Sequence, residues 1–178
     1  KWSQIGDQIS FLDDGPSVSA TAAGAVLVQN DESATSSMVA QLDTGSIAIG
    51  NDPDVAGAGA ISRATSSGAV VNATPFYGTD GAAATGALSY SLTVINAVSG
   101  LSVTDGSPIN LVVQGNVIVG QVSGGAFDGL AAFAIAIDPA TGVVTVEQYL
   151  SLDHPDTANP DDAVQLVANS LGVVVTAT

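Results

Sequence analysis

Apolar residues in this sequence fall in short runs separated by Gly, Pro, Asp and Asn, and no stretch keeps the i, i+3, i+4, i+7 spacing of a capped amphipathic helix. "LSYSLTVI" (88–95) alternates before it becomes apolar, as a strand with one wet face does. "INLVVQ" (109–114) and "VIVGQV" (117–122) flank Gly115-Asn116, a two-residue hairpin signal. "AAFAIAI" (131–137) and "VVTVEQY" (143–149) flank a turn that Asp138 opens, Pro139 pre-sets in φ and Gly142 completes in the left-handed region. "LGVVVTAT" (171–178) predicts one more strand.

The first half carries a fainter pattern. "QISFL" (8–12) and "AVLVQ" (25–29) predict short strands that end at "DDGP" and "NDES", and "SATAAGAVLV" (19–28) has the small-residue composition of β-structure. Residues 31–75 are polar and small, with a Gly/Ala tract at 56–60, and predict long surface loops with short edge strands. Loosely ordered decoration and a recognition surface are both open for them. Short strands punctuated by twenty glycines and seven prolines give an all-β chain, an antiparallel β-sandwich with long irregular loops. At 178 residues one domain is expected, although length alone also allows two sandwiches of roughly 90 residues.

Charge narrows the partners. Two Lys plus Arg stand against 17 Asp plus Glu, a net charge of −15, and the cations are Lys1 and Arg63. A nucleic-acid backbone or an anionic membrane surface needs more cations than these. Hydrophobic content of 46% separates the chain from acidic disordered tails, so its carboxylates are solvated or neutralised on a folded body. Bound cations would relieve the self-repulsion of that body. Cysteine is absent, no apolar run approaches the ~18 residues of a membrane span, and the opening "KWSQIGDQIS" has no signal-peptide core. A start without methionine suggests a piece of a longer protein.

Acidic residues gather at Asp13-Asp14, Asp31-Glu32, Asp52-Asp54, Asp80 and in "LDHPDTANPDDAV" (152–164), which also holds the only histidine, His154. Calcium takes six to eight oxygens, which short Asp and Asn side chains and loop carbonyls supply. No EF-hand loop and no G-G-x-G-x-D nonapeptide is present, so any such site must be assembled from distant segments. Asp105 in "TDGSP" and Asp138 in "DPATG" are expected to cap their own turns. Asp13-Asp14 differ, because a single cap needs one carboxylate and two adjacent ones repel. In the histidine stretch Asp153, Asp156 and Asp161 are candidate calcium ligands. Pro155 and Pro160 stiffen the loop, and Asp161 and Asp162 can cap the segment that follows. His154 is expected to fix this loop by hydrogen bonding to a neighbouring Asp or a carbonyl, not to ligate calcium.

Four stretches taken in order, "FLDDGPSV" (11–18), "NDES" (30–33), "YGTDGAAATGALSYSL" (77–92) and "AFAIAIDPATGVVTVEQYLSLDHPDTANPDDAVQL" (132–166), resemble one repeat of the very large bacterial surface adhesins exported by type I secretion, of the repeats-in-toxin class. Parts of it are also similar to cadherin calcium signatures: "DDGP" to the linker between repeats, Glu32 to the glutamate after the first strand, and "TDGAAATGALSYSL" to the Asp-x-Asp-x-Gly region. Here Asp80 stands alone where cadherins have an Asp pair, and Gly86 lacks the preceding Asn. The resemblance implies an immunoglobulin/cadherin-like sandwich over 13–178, with residues 1–12 as a terminal strand from a preceding repeat or linker. It also implies a calcium site at the rim joining Asp13 or Asp14, Glu32 and Asp80.

Three functions follow in order. The first is a calcium-stabilised extender of an extracellular, cell-surface adhesin that supports adhesion and biofilm formation. Its partners would be neighbouring repeats of the same chain, with surface glycans or proteins met through other domains. The second is a lectin-like or partner-binding module that uses 34–75, with Trp2, Phe76, Tyr77 and Tyr149 available for stacking. The third, an enzyme, is the weakest, since it would rest on His154 alone or on carboxylates without an aromatic-rich cleft.

Overall fold

The computed structural model describes residues 14–24, 28–32, 37–156, 158–159 and 162–178. Among these residues there are ten strands and no helix: β1 Ser17–Ala22, β2 Ser62–Ala69, β3 Val71–Phe76, β4 Leu88–Val94, β5 Val98–Ser102, β6 Pro108–Gln114, β7 Val117–Val122, β8 Ala131–Ile137, β9 Val143–Gln148 and β10 Leu171–Ala177. Six form one antiparallel sheet in the order β2-β9-β8-β7-β6-β5. Two antiparallel pairs, β10-β4 and β1-β3, accompany it. The architecture is the all-β, antiparallel, sandwich-like class that the apolar runs predict.

The turns explain the register at the centre of the large sheet. Gln114 pairs with Val117 across Gly115-Asn116, and Gly115 sits at φ 58°, in the region a tight hairpin turn demands. Between β8 and β9 the Asp138 carboxylate accepts the N–H groups of Ala140 at 2.8 Å and Thr141 at 3.2 Å, the turn cap expected of it. Asp105 caps its turn in the same way, accepting the Ser107 N–H at 2.9 Å.

The sheet is covered on both faces. On one, Ile109, Leu111, Ile118, Phe133, Ile135 and Val144 pack against Tyr90, Leu92 and Val94 of β4 and Leu171 and Val173 of β10. This is the sandwich core. On the other, Val117, Val119, Ala134 and Tyr149 are covered by Leu42, Ile47, Ile49 and Ala60, residues of an irregular segment spanning 37–61. Backbone bridges Met38↔Ala60 and Ile49↔Ala131 tie that segment down. Gly50 leaves room for the Leu150 side chain, with which a Cβ there would collide. Burying a side chain such as Ile47 is worth about 1.5–3 kcal/mol.

The edge strand expected within residues 31–75 is present as β2, and 37–61 is irregular as expected, but it is packed down as a third layer rather than loosely ordered. Its apolar residues are too widely spaced for any period, because an irregular cover meets the sheet only where its path dips. β2 is the edge strand of the large sheet and β3 pairs with β1. Of the predicted early strands, "QISFL" and residues 25–27 lie outside the described residues. Val28 carries no strand pairing but packs on the sandwich core. β5 was not predicted. Its "VSGLS" is too short and polar to signal a strand, and its fully buried Ser99 is satisfied by donating to the Ile109 carbonyl at 2.5 Å.

Candidate functional site

Polar chemistry concentrates where β9 ends. Successive strand residues point to opposite faces, and here β9 places Glu147 and Gln148 side by side, while its partner β2 places Arg63 and Ser62 opposite them. Two polar clusters result, one on each face of the sheet.

The first is centred on Glu147, which is fully buried. Its carboxylate accepts the backbone N–H groups of Gln41 (2.9 Å) and Leu42 (3.1 Å), the Arg63 Nε–H (2.8 Å) and the Tyr149 hydroxyl (3.0 Å). The Arg63 terminal nitrogen lies 2.5 Å from the same carboxylate and donates to the Val39 carbonyl at 2.8 Å. Burial alone would raise the Glu147 pKa, but the Leu42 and Gln41 N–H groups, Arg63 and Tyr149 outweigh it and hold the carboxyl below its usual range. The same burial, with the neighbouring charge, pushes the Tyr149 phenol above its usual range. This cluster clamps residues 39–42 onto the sheet.

A smaller clamp follows along the same segment. Asp52, 6% exposed, accepts the N–H groups of Ser151 (2.8 Å) and Asp54 (2.9 Å). Its pKa is raised by burial but lowered further by these bonds, for a net decrease.

On the opposite face Asn30 donates to Ser62 Oγ (2.5 Å) and to Gln148 Oε1 (2.6 Å). Gln148 in turn donates to Glu32 and to the Leu150 carbonyl. Glu32 also accepts the Leu152 N–H at 3.0 Å, and His154 Nε2 lies 3.7 Å from the same carboxylate oxygen. Among the described residues one buried atom here has no hydrogen-bond partner, the Asn30 side-chain oxygen. An acceptor of that kind normally costs stability unless a donor or a cation meets it.

The expected calcium ligands are redistributed. Asp13 and Asp161 lie outside the described residues. Asp14 and Asp80 are exposed, and both come to one end of the β1-β3 ladder, where Gly78 lies against the Asp14 backbone carbonyl. The loop after Asp80 is tied through the Ala83 N–H to the Thr178 carbonyl, and β4 starts beside the β8–β9 turn through Tyr90 N–H to Pro139. Glu32 sits at the opposite end of β9, so the expected joining of Glu32 with Asp14 and Asp80 is not seen. Its neighbours are instead the loop that carries Asp153 and His154. Among the described residues no three His, Cys, Asp or Glu side chains converge at metal-binding distance.

The histidine loop differs from expectation in detail. Among the described residues His154 faces Glu32, a distant residue in sequence. Asp153 is exposed and its N–H donates to Ser102 at 2.8 Å. Asp162, expected to cap the segment that follows it, reaches back instead to accept the Asp156 N–H at 3.0 Å. Of the residues considered for stacking, Trp2 lies outside the described residues and Phe76 is exposed at the end of β3. Tyr149 is fully buried against Glu147 and is excluded from that role.

Sequence reasoning missed the Glu147 cluster, although a signal existed. A glutamate between Val146 and Tyr149 in an apolar strand must find a partner, and beyond Lys1 the chain has one cation to offer.

The fold and these clamps define a layered all-β domain whose polar chemistry holds segments to a sheet. The profile of one protein family, described as a domain of unknown function (DUF5801), matches residues 26–178, and the chain belongs to that family. No curated protein and no solved structure matches it. The matched range leaves out β1, which nonetheless pairs with β3 inside it.

Proposed function

We propose that this domain is a calcium-stiffened extender repeat of a large, type I-secreted bacterial cell-surface adhesin, acting by spacing and support for adhesion and biofilm formation. Its partners in this reading are adjoining repeats of the same chain, and it performs no catalysis. The observation that supports the reading best is the buried, unpartnered Asn30 oxygen beside Glu32 at the acidic end of β9. Calcium takes carboxylate, amide and backbone oxygens, and Asn30, Glu32 and the Leu150 carbonyl offer one of each, with Asp153 and Asp156 in the adjoining loop. Asp14 and Asp80 would form a second, separate station. A net charge of −15 adds to the benefit of a bound cation.

Calcium titration by calorimetry, paired with thermal unfolding, tests this. A site with a Kd of ~10⁻⁴ M in millimolar calcium adds roughly 1.4 kcal/mol by mass action, so the melting temperature should rise with calcium and Glu32→Ala should remove part of the binding heat. An identical melting temperature in calcium and in excess chelator would defeat the proposal.

A further inference from the structure

We propose that this fold makes the chain refractory to proteases of trypsin specificity, because Arg63, which is the only Lys or Arg between positions 2 and 178, is locked into the sheet by a buried carboxylate. Such enzymes draw a cationic side chain into a specificity pocket while the scissile carbonyl meets the nucleophile. Arg63 offers neither its side chain nor its backbone for this. Its guanidinium is held by Glu147 and by the Val39 carbonyl. Its backbone lies in the β2-β9 ladder, where Ser62, Arg63, Ala64 and Thr65 pair in succession with Gln148, Glu147, Val146 and Thr145. The clamped residues 39–42 lie over the same cluster.

Nicking of folded proteins concentrates at exposed loops. In this chain the loops at 77–87, 123–130 and 149–170 contain no Lys or Arg. Cleavage after Arg63 therefore requires β2 to leave β9, which strips Glu147 of its cation and opens one edge of the large sheet. Proteolysis by that route is set by the population of the opened state.

The test compares two cleavage points in the full chain. Ala84→Arg places an arginine in the exposed connection between β3 and β4, where trypsin should cut readily. Cleavage after Arg63 in the same folded protein should be slower by at least roughly 100-fold. Adding Glu147→Gln should accelerate the Arg63 cut by about tenfold or more without changing the rate at position 84. Comparable rates at the two positions would overturn the proposal, as would an Arg63 rate unmoved by Glu147→Gln in a variant whose circular dichroism shows it folded. Should that variant unfold, the comparison of Arg63 with position 84 in the Ala84→Arg protein still decides the outcome.

Discussion

Strands β8 and β1 are built from similar small and β-branched residues, "AAFAIAI" and "SVSATA", yet six of seven β8 residues are buried and none of β1 is. The difference is one of neighbours. β8 has β7 and β9 on its edges, β4 and β10 over one face and residues of 37–61 over the other. β1 has one ladder partner, β3, and an isolated two-stranded ladder is marginal by itself in water. Stability in this domain is therefore concentrated in the doubly covered sheet, and the β1-β3 ladder depends on what it lies against.

The sharpest test of that contrast is Phe133→Ala in β8. Phe133 is 4% exposed and its ring fills the space over Gly120, so truncation should cost about 3–5 kcal/mol in urea unfolding. A cost near zero would mean that the centre of the sheet is not where the stability resides. Next comes Glu147→Gln, which leaves Arg63 without its charge partner and weakens the hold on residues 39–42. Breaking a buried pair from one side costs about 3–5 kcal/mol, and because the Arg63 side chain is 24% exposed the lower end, about 3 kcal/mol, is expected. A loss below roughly 0.5 kcal/mol, the range of a neutral surface change, would reduce the third layer to the standing of β1.

Acid should act through the same clamps. Glu147 and Asp52 are both held below their ordinary pKa values in the folded chain. Their stabilisation is complete above the unfolded values of about 4.3 and 3.9 and is lost as pH falls from there through the lower folded values. The melting temperature should fall between about pH 5 and pH 3, with a shallower decline in Glu147→Gln; parallel declines would remove Glu147 from the account. The smallest effect belongs to the exposed ladder, where Thr21→Ala in β1 should change stability by no more than about 0.5 kcal/mol. A loss above 2 kcal/mol, roughly that of a core truncation, would show β1 to be as firmly seated as β8.

Much of the large sheet was legible because its strands are joined by turns that state their own geometry, Gly115-Asn116 and Asp138 to Gly142, and because both faces are buried. A strand covered on both faces reads as a continuous apolar run, and β8 does so. The 37–61 layer was illegible for the opposite reason. It buries Ile47, Ala60 and Ile61 at irregular intervals and is held by the Gln41 and Leu42 N–H groups donating to Glu147 and by Asp52 accepting the Ser151 N–H, and backbone donors leave no mark in a sequence. The acids were located as residue types, but not their grouping: pairing of β2 with β9, far apart in the chain, set Glu147 opposite Arg63 on one face and Gln148 opposite Ser62, beside Asn30, on the other.

That pairing has a consequence for specificity as distinct from strength. β2 reads "SRATSSGA", a run of small residues that could slide along β9 with little loss of packing. A shift by one residue exchanges the two faces of a strand, which would carry Arg63 towards the apolar sandwich core and leave Glu147 opposite a serine or an alanine. One arginine and one glutamate, meeting at a single rung, thus distinguish the correct alignment of an otherwise featureless strand from its neighbours, a discrimination that no greater number of alanines and serines could supply.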